Sequence, residues 1–475
     1  MSNPTDQTAS QLPSYITSAV PNPTDKRAAW YKNTAPTYAG IFLWFVFWQD
    51  AAKAAAPGGT LAQGIGWALV SLVISALVCH FLFYLVPGLL GMKTGLPLYI
   101  VGTSTFGAKG GFIMPGFLMG VLQFGWVGVN VYFSSQALSA VIPVDARIIM
   151  VVWGVLACFV GLKGIQYVAK VATFLPLIPL VVLLWMTFAT MSNLGSFSPD
   201  PLVTAQKAAN PVGGEPLSML GVLAAMLTYV VGFFATAGAA GVDFGTNSRD
   251  KKDVSRGGLI GIALAIIVTA GLSLLIVAGY YGSKVGLEAA TAKGVSLRSS
   301  DLIPAILGGD KAKWVMLLLA LSAFPSACFS SFIAANSFKT TLPKVNPFVS
   351  VGIGTVVAVI LAVTGVVASA VSVFLIIGAS FGPICGAMLV DYLMAGSKWS
   401  GPRAGFNPAG WIAWALGFGV GILPNLHVNL PAAPVVAFGV GAVVYYLCAS
   451  IGLQSKVVPL PVKAAGLAPK GSSAA

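Results

Sequence analysis

Residues 232–243, GFFATAGAAGVD, and residues 48–53, WQDAAK, carry most of the information about the fold. Both stretches lie in long apolar runs, yet both consist largely of small and polar residues that make weak helices. They are five apolar runs apart, which is the spacing expected when two inverted halves each contribute one broken helix to a site near the middle of a membrane. Close helix packing through small residues explains the same composition equally well.

The composition of the whole chain is that of a membrane protein. Of the 475 residues, 57% are hydrophobic and 8% are charged, and the mean hydropathy is +0.88. Soluble domains carry about three times that share of charge. The apolar runs are continuous and roughly twenty residues long, as transmembrane helices require, whereas a membrane β-barrel would show shorter alternating segments. We therefore predict an all-α polytopic membrane protein and exclude soluble enzymes and nucleic-acid binders.

Hydropathy marks about twelve membrane spans. They are numbered 1 to 12 and lie near residues 36–55, 61–87, 112–142, 147–165, 168–191, 217–245, 257–282, 312–338, 347–368, 370–395, 408–424 and 432–453. Spans 1–5 (36–191) and spans 6–10 (217–395) would form the two inverted repeats. Spans 11 and 12 (408–453) follow, and residues 1–35 and 455–475 form polar, flexible tails.

The basic residues predict the orientation of the chain. An even number of spans places both tails on one side of the membrane. If that side is the cytoplasm, 18 of the 26 lysines and arginines fall in cytoplasmic segments, 7 fall in external loops, and Lys53 lies within span 1. This distribution follows the positive-inside rule. We expect a multi-pass protein of the cell membrane, inner or plasma, with both termini in the cytoplasm.

Side chains suited to metal or covalent chemistry are scarce. The 5 cysteines lie in apolar runs without a CxxC pair, and the 2 histidines are far apart in the sequence. No glycine-rich phosphate loop is present. The sequence therefore predicts neither an enzyme nor an organic cofactor. Asp243 and Asp391 fall at span ends, where solvated or salt-bridged charges are expected.

Span 3 contains a candidate substrate site. Its residues 123–130, QFGWVGVN, place Trp126 and Asn130 four positions apart and so on one helix face. An aromatic plane beside an amide suits a flat heterocycle, since the ring can stack on the indole while the amide pairs with the polar edge. The alternative is a packed tryptophan next to an amide that bonds between helices.

Span 8 contains a candidate cation site. Ala327, Ser330 and Ser331 fall on one face, at i, i+3 and i+4. Two hydroxyl groups, together with carbonyl oxygens of a broken neighbouring helix, are hard ligands that suit sodium. The alternative is that the serines bond back to their own helix. Asn336 could be a substrate amide or could join helices.

Several motifs, in order along the chain, resemble one transporter family. They are GMKTGL (91–96), FGAKG (106–110), QFGWVGV (123–129), residues 231–243, FGP (381–383) and DYLM (391–394). Through these motifs, residues 40–450 resemble the nucleobase:cation symporter-1 family. This family includes cytosine, purine and allantoin permeases and the sodium–hydantoin transporter. The resemblance implies the leucine-transporter fold, a five-plus-five inverted repeat with two extra C-terminal helices.

The resemblance also implies site residues. Trp126 and Phe234 would sandwich the planar ring. Its polar edge would meet Gln123, Asn130, Asn336 and the backbone from Phe233 to Ala237. Oxygens of Ala327, Ser330 and Ser331 would join carbonyls of span 1 near Phe47 and Asp50 at a sodium site.

Two residues depart from the family pattern. Phe332 stands where several relatives place a second polar residue. Asp50 adds a carboxylate that the family usually lacks, and three roles remain open for it. It could be an extra sodium ligand, or a proton carrier, because burial favours the protonated form of a carboxyl. It could also pair with Lys53 in a structural salt bridge.

The sequence as a whole predicts a cation-coupled importer of a nucleobase or related heterocycle. Spans 1, 2, 6 and 7 would move against spans 3, 4, 8 and 9 in alternating access. The partners would be the heterocycle, the coupling cation (with Na+ as a possible bound ion) and the bilayer, but no nucleic acid. A channel would need a longer polar stripe than any span offers. A transporter of an amino acid, amine or vitamin remains the alternative.

Overall fold

The computed structural model describes residues 12–42, 45–52, 56–163, 175, 177–211, 213–293 and 297–460. Within these residues the chain is mainly helical, and its β pairing there is limited to two isolated bridges, Ala28 with Ser248 and Arg403 with Val457. The prediction of an all-α protein is confirmed.

Each of the twelve predicted spans corresponds to helical segments in the structure. Spans 1 to 6 are Thr34–Phe42 with Phe45–Asp50, Gly64–Thr94, Phe112–Ser139, Ala146–Lys163, Leu177–Leu194 and Met219–Ala239. Spans 7 to 12 are Lys251–Tyr281, Gly309–Thr341, Pro347–Val363, Ala370–Met394, Pro408–Gly421 and Ala433–Ser450. In the described part of the chain, 9 helices are long and apolar enough to cross a membrane. Spans 1, 9 and 11 are shorter.

Local sequence sets where several spans begin and end. Ser218 and Asn346 precede spans 6 and 9, and each side chain accepts a hydrogen bond from a backbone N–H of the first turn. Such caps satisfy amide groups that have no partner within the helix. Span 2 ends at Thr94, where Gly95 has a φ of 66°. Glycine adopts this left-handed conformation without a steric penalty.

Spans 1, 3, 6 and 10 meet at the centre of the bundle, and the other spans pack around them. Span 6 lies between spans 2 and 10, whereas span 3 packs against spans 8 and 9. Span 10 is the most enclosed of the nine long spans. Side chains of spans 1, 3, 6 and 10 that point inward can therefore contact one another.

The small residues of span 6 serve helix packing. The α-helix Met219–Ala239 is continuous, and a short helix Gly241–Gly245 follows after Ala240. A Cβ added at Gly232 would lie 2.7 Å from the carbonyl oxygen of Phe374 in span 10. The glycine is thus required by the close approach of the two helices. The interruption lies at the end of span 6 rather than at its middle.

Span 1 changes its type of helix along its length. It is α-helical over Thr34–Phe42 and forms a 3-10 helix over Phe45–Asp50, which coincides with the break predicted there. Residues 43–44 and 53–55 lie outside the described residues, as does the side chain of Asp50. The predicted salt bridge between Asp50 and Lys53 therefore also lies outside them.

The start of span 1 and the end of span 12 lie at one end of the bundle, here called the terminal side. Residues 12–33, predicted as part of a flexible tail, pack across this side. The Arg27 guanidinium donates to the carbonyl oxygens of Met92, at 2.5 Å, and Ser248, at 3.5 Å. The tail thereby connects the end of span 2 to the segment between spans 6 and 7.

Short helices that the sequence did not predict lie between spans. They are Leu98–Val101 and Thr103–Phe106 on the terminal side, and Pro199–Ala209, Lys284–Lys293 and Ser299–Leu307 on the opposite side. The buried Gln206 side chain accepts a hydrogen bond from Gly58 N, at 2.6 Å, and donates to Ala52 O, at 3.3 Å. It fixes the loop that follows span 1.

Candidate functional site

Three aromatic rings from three spans meet at the centre of the bundle. The Trp126 ring lies 5.0 Å from the Phe233 ring, edge to face, and 5.5 Å from the Phe374 ring. Phe233 and Phe374 also contact each other edge to face, at 5.4 Å. Spans 3, 6 and 10 are therefore joined here by aromatic contacts, which are individually worth about 0.5–1.5 kcal/mol beyond their buried area.

Two further rings complete what we call the aromatic cluster: Phe47, Trp126, Tyr229, Phe233 and Phe374. Phe47 of span 1 lies 5.5 Å from Tyr229 and 5.3 Å from Phe233. Tyr229 lies 5.3 Å from Phe374. Trp126 is half-buried and the other four rings are buried. The cluster thus offers Trp126 as its most accessible flat surface.

A hydroxyl group fixes the orientation of the Trp126 indole. Its Nε1 donates to Thr236 Oγ1 at 3.3 Å. Thr236 is three residues after Phe233 and so lies on the same face of span 6. The indole is therefore held both by ring contacts and by one hydrogen bond.

Phe234 points away from the aromatic cluster. Among the described residues its ring contacts Tyr38 of span 1, at 6.0 Å, and it is fully buried beside Gly238. Successive residues of an α-helix point about 100° apart, so Phe233 and Phe234 cannot both face span 3. The structure therefore pairs Trp126 with Phe233, in place of the sandwich of Trp126 and Phe234 that the resemblance implied.

The backbone from Phe233 to Ala237 is also engaged. These residues lie within the continuous helix of span 6, where carbonyl groups accept hydrogen bonds from the next turn. The Ala237 carbonyl additionally accepts from the Tyr38 hydroxyl at 2.9 Å. In this conformation the segment offers little free backbone to the polar edge of a ligand.

The two amides of span 3 are buried near Trp126. Asn130 is 8% exposed, and its Oδ1 accepts a hydrogen bond from Ser134 at 3.3 Å. The Gln123 Nε2 contacts the sulfur of Met119 at 3.5 Å. Among the described residues, neither the Asn130 nitrogen nor the Gln123 oxygen has a hydrogen-bond partner. Both amides therefore retain capacity for a ligand.

Asn336 lies apart from the aromatic cluster. Its side chain is exposed, and the neighbouring Ser337 hydroxyl donates to the Gly116 carbonyl at 2.5 Å. Gly116 precedes Trp126 by ten residues of span 3, or about 15 Å along a helix. The structure thus places Asn336 nearer the terminal side than Trp126.

The predicted cation ligands of span 8 face span 4. Ala327 is fully buried and packs against Ala157. Ser331 is also fully buried, and its hydroxyl donates to the Cys158 carbonyl at 3.4 Å. Ser330 is half-buried. The hydroxyl of Ser331 is therefore engaged with span 4 in this conformation.

The predicted partners of these groups in span 1 lie elsewhere. Phe47 belongs to the aromatic cluster, and the helix Phe45–Asp50 packs against span 7. Within the described residues, no hydrogen bond joins Ala327, Ser330 or Ser331 to span 1. Among the described residues there is also no group of three or more His, Cys, Asp or Glu side chains that could hold a metal ion.

Sequence reasoning missed three residues of the site: Tyr229, Thr236 and Phe374. Tyr229 and Thr236 share a face of span 6 with Phe233, being four positions before it and three after it. That periodicity was available as a signal. Phe374 had no such signal, because nothing in the sequence shows that the start of span 10 approaches Trp126.

Comparison with known proteins identifies the family of this chain. Residues 21–447 match the model of a family described as permeases for cytosine/purines, uracil, thiamine and allantoin. The chain belongs to this permease family. The cytosine permease of Escherichia coli strain K12 is 25% identical over 346 residues, which cover 71% of this chain and 73% of that protein. The same values hold for the cytosine permease of Escherichia coli O157:H7.

Solved structures show the same fold at low sequence identity. The inward-facing conformation of Mhp1 aligns with a TM-score of 0.69 at 14% identity, covering 96% of this chain and 98% of Mhp1. Mhp1 in a closed conformation with bromovinylhydantoin, described as a nucleobase-cation-symport-1 family transporter, aligns with a TM-score of 0.63 at 13% identity and coverages of 92% and 96%. A Na+-coupled sialic acid symporter aligns at 0.52 and 13% identity, with coverages of 94% and 95%.

The comparisons confirm two predictions. The chain has the leucine-transporter type of fold that these neighbours share. It is a membrane transporter rather than an enzyme, because it belongs to the permease family.

Proposed function

We propose that this permease imports a nucleobase or a related planar heterocycle of the cytosine, purine, allantoin or hydantoin class by alternating access. The observation that supports this most directly is the aromatic cluster, in which the half-buried Trp126 lies among rings from three other spans. Stacking of a base on one aromatic side chain contributes about 1–3 kcal/mol. A flat heterocycle would insert between Trp126 and Phe233 and stack on both rings.

The polar edge of the heterocycle would pair with the amides of span 3. Asn130 and Gln123 lie one turn to either side of Trp126, and each has an amide atom without a partner among the described residues. Asn336 would contact the ligand in a different state of the transport cycle, when the terminal side is open. The Phe234 ring would contribute indirectly, by packing on a different face of span 6 from Phe233.

The cluster favours an uncharged ligand. Among the described side chains, its members and the polar groups next to Trp126, namely Thr236, Asn130 and Gln123, carry no charge. A zwitterionic amino acid or a charged amine would lose its hydration here without gaining a counter-charge, which is costly. The alternative cargo of an amino acid or amine is therefore less suited to this site. Among vitamins, thiamine appears in the description of the family and belongs in any test.

Import would be coupled to sodium or to a proton. Mhp1 is described as a cation symporter and the sialic acid relative as Na+-coupled, which supports cation coupling at the level of the fold. Our proposal for the cation remains the oxygens of Ala327, Ser330 and Ser331 together with span 1 near Phe47 and Asp50. Because Ser331 faces span 4 here, the site would form only after span 1 and span 8 approach each other.

The proposed orientation follows the distribution of basic residues. The terminal side would face the cytoplasm and the opposite side the exterior of the cell, as the positive-inside rule indicates. The protein would reside in the inner or plasma membrane, with the lipid bilayer, the heterocycle and the cation as its partners.

The test is competition for uptake of radiolabelled cytosine by adenine, uracil, allantoin, hydantoin, thiamine and an amino-acid mixture. We expect heterocycles to compete and amino acids to fail. Asn130→Ala and Asn336→Ala should change the ranking of the heterocycles, since losing one buried partner costs about 1–3 kcal/mol for the ligands that use it.

Asn346→Ala is the matched control, because this exposed amide caps the start of span 9 by accepting from Phe348 N and contacts no member of the cluster. An unchanged ranking in both test variants would assign the two asparagines to the scaffold. Competition by amino acids alone would contradict the proposed substrate class.

A further inference from the structure

A partly enclosed cavity of about 50 Å³ lies on the opposite side, beyond the aromatic cluster. Its polar lining comes from three parts of the chain: span 1, span 3 and the start of the helix Ser299–Leu307 with Arg298 before it. The polar residues are Gln49, Tyr132, Gln136, Arg298, Ser299 and Ser300. A space of this size holds about four water molecules.

The cavity lies in line with the aromatic cluster. Gln49 is two residues after Phe47 in the same 3-10 helix of span 1. Gln136 is ten residues after Trp126 in the continuous helix of span 3, or about 15 Å along its axis. A solute that approaches Trp126 from the opposite side between spans 1 and 3 would pass through this space.

One hydrogen bond spans the cavity. The Gln49 Nε2 donates to the buried Ser299 Oγ at 3.3 Å and so joins span 1 to the helix Ser299–Leu307. Within the described residues, the Gln136 amide and the Arg298 guanidinium make no side-chain hydrogen bond, whereas the Ser300 hydroxyl donates to Asp301 at 3.5 Å. Gln136 is half-buried and Arg298 is exposed, so both groups can reach a solute in the cavity.

The chemistry of this lining matches a planar heterocycle. Two amides can each donate and accept, as adjacent ring N–H and C=O groups require, and the guanidinium presents a planar set of donors to a ring carbonyl. Tyr132 adds a phenol ring next to these groups. We propose that the cavity is an outer binding site, distinct from the aromatic cluster, which takes the same uncharged planar heterocycle before it reaches Trp126. This proposal rests on the proposed function.

The first experiment separates the outer site from the central one. Full-length protein is reconstituted into proteoliposomes, and cytosine uptake is compared with equilibrium cytosine binding in detergent. Gln136→Ala and Arg298→Ala should each raise the half-saturating cytosine concentration of uptake at least fivefold while changing the Kd less than twofold. Trp126→Ala should raise both. Gln63→Ala, an exposed glutamine on the same side of the bundle but outside the cavity, is the control.

Two results would overturn the outer site. Uptake parameters within twofold of wild type in both cavity variants would show that the cavity holds only water. Parallel losses of uptake and equilibrium binding would show that these residues act through the central site. If wild-type protein neither binds nor transports cytosine or any other heterocycle of the panel, the proposed function fails, and the outer site fails with it.

A second measurement is independent of transport. The five native cysteines are buried, so Ser300→Cys introduces a reactive thiol at a half-buried position of the cavity lining. In the Trp126→Ala background, millimolar cytosine should slow labelling of this thiol by a membrane-impermeant reagent at least threefold. An unchanged labelling rate would overturn the proposal even if the variant protein no longer transports.

Discussion

At the scale of single residues, Phe233 and Phe234 have different roles although they are adjacent. Phe233 faces Trp126 and Phe374, whereas Phe234 is buried against Tyr38. Their order in the sequence does not reveal which ring faces span 3, because that depends on the rotation of span 6 about its own axis. The rotation is set by the packing of span 6 between spans 2 and 10.

This difference leads to a prediction about three variants. Trp126→Ala and Phe233→Ala should each raise the half-saturating substrate concentration about tenfold, with near-normal surface expression, since loss of one stacking partner costs about 1–3 kcal/mol. Phe234→Ala should mainly lower the free energy of unfolding, by about 3–5 kcal/mol for a fully buried ring. Surface expression should fall as a result. Uptake kinetics normalised to surface protein provide the measurement.

The opposite pattern would contradict the structural assignment. If Phe234→Ala weakens substrate affinity while Phe233→Ala does not, the sandwich of Trp126 and Phe234 that the resemblance implied would be the correct one.

At the scale of secondary-structure elements, the proposed cation site would take its ligands from spans 1 and 8, whose described contacts here are with other spans. Ser331 of span 8 faces Cys158 of span 4, while the 3-10 helix of span 1 packs against span 7. Sequence spacing correctly placed Ala327 and Ser331 on neighbouring parts of one helix surface. It could not show which neighbouring helix that surface contacts.

We predict that uptake depends on sodium and that Ser331→Ala raises the sodium concentration for half-maximal uptake at least fivefold. The reason is the loss of one hard oxygen ligand from the assembled site. Uptake is measured with sodium or choline at pH 6 and pH 8, in wild type, Ser331→Ala and Asp50→Asn. Ser326→Ala, an exposed serine five residues earlier in span 8, is the matched control.

A proton-coupled transporter would behave differently in the same experiment. Its uptake would not depend on sodium and would decrease from pH 6 to pH 8. The reason is that the proton-carrying group is protonated in fewer molecules at the higher pH. Loss of that pH response in Asp50→Asn would identify Asp50 as the proton carrier and remove the sodium assignment.

At the scale of the whole molecule, a buried ion pair joins distant parts of the chain on the terminal side. Asp391 at the end of span 10 accepts from Arg403 at 3.2 Å, from the Tyr445 hydroxyl at 2.8 Å and from Thr105 at 3.4 Å. Arg403 also donates to the Ser104 carbonyl at 2.8 Å. The pair therefore connects spans 10 and 12 with the segment between spans 2 and 3.

We predict that Asp391→Ala lowers the free energy of unfolding by about 3–5 kcal/mol, because it leaves the Arg403 cation buried without a counter-charge. Tyr445→Phe removes one hydrogen bond and should cost only about 1 kcal/mol. The melting temperature of detergent-solubilised protein, followed by size-exclusion chromatography, orders the variants. Equal melting temperatures for Asp391→Ala and wild type would show that the pair does not stabilise the bundle.

The sequence by itself determined the class of protein and the positions of its spans. A helix that crosses the membrane needs about twenty consecutive apolar residues, so each span can be recognised from its own stretch of sequence. Ordered motifs then indicated the permease family. The position of Trp126 relative to Asn130 followed from helical periodicity alone.

Only the tertiary structure decided what each span presents to the centre of the bundle. Phe374 contacts Trp126 because span 10 approaches span 3 at this point, and Phe233 rather than Phe234 contacts Trp126 because packing sets the rotation of span 6. Asp391, which the sequence indicated only as a charge at a span end, has its partner Arg403 on a different segment. Such contacts join residues far apart in the chain, and local hydropathy contains no information about them because it depends only on neighbours in sequence.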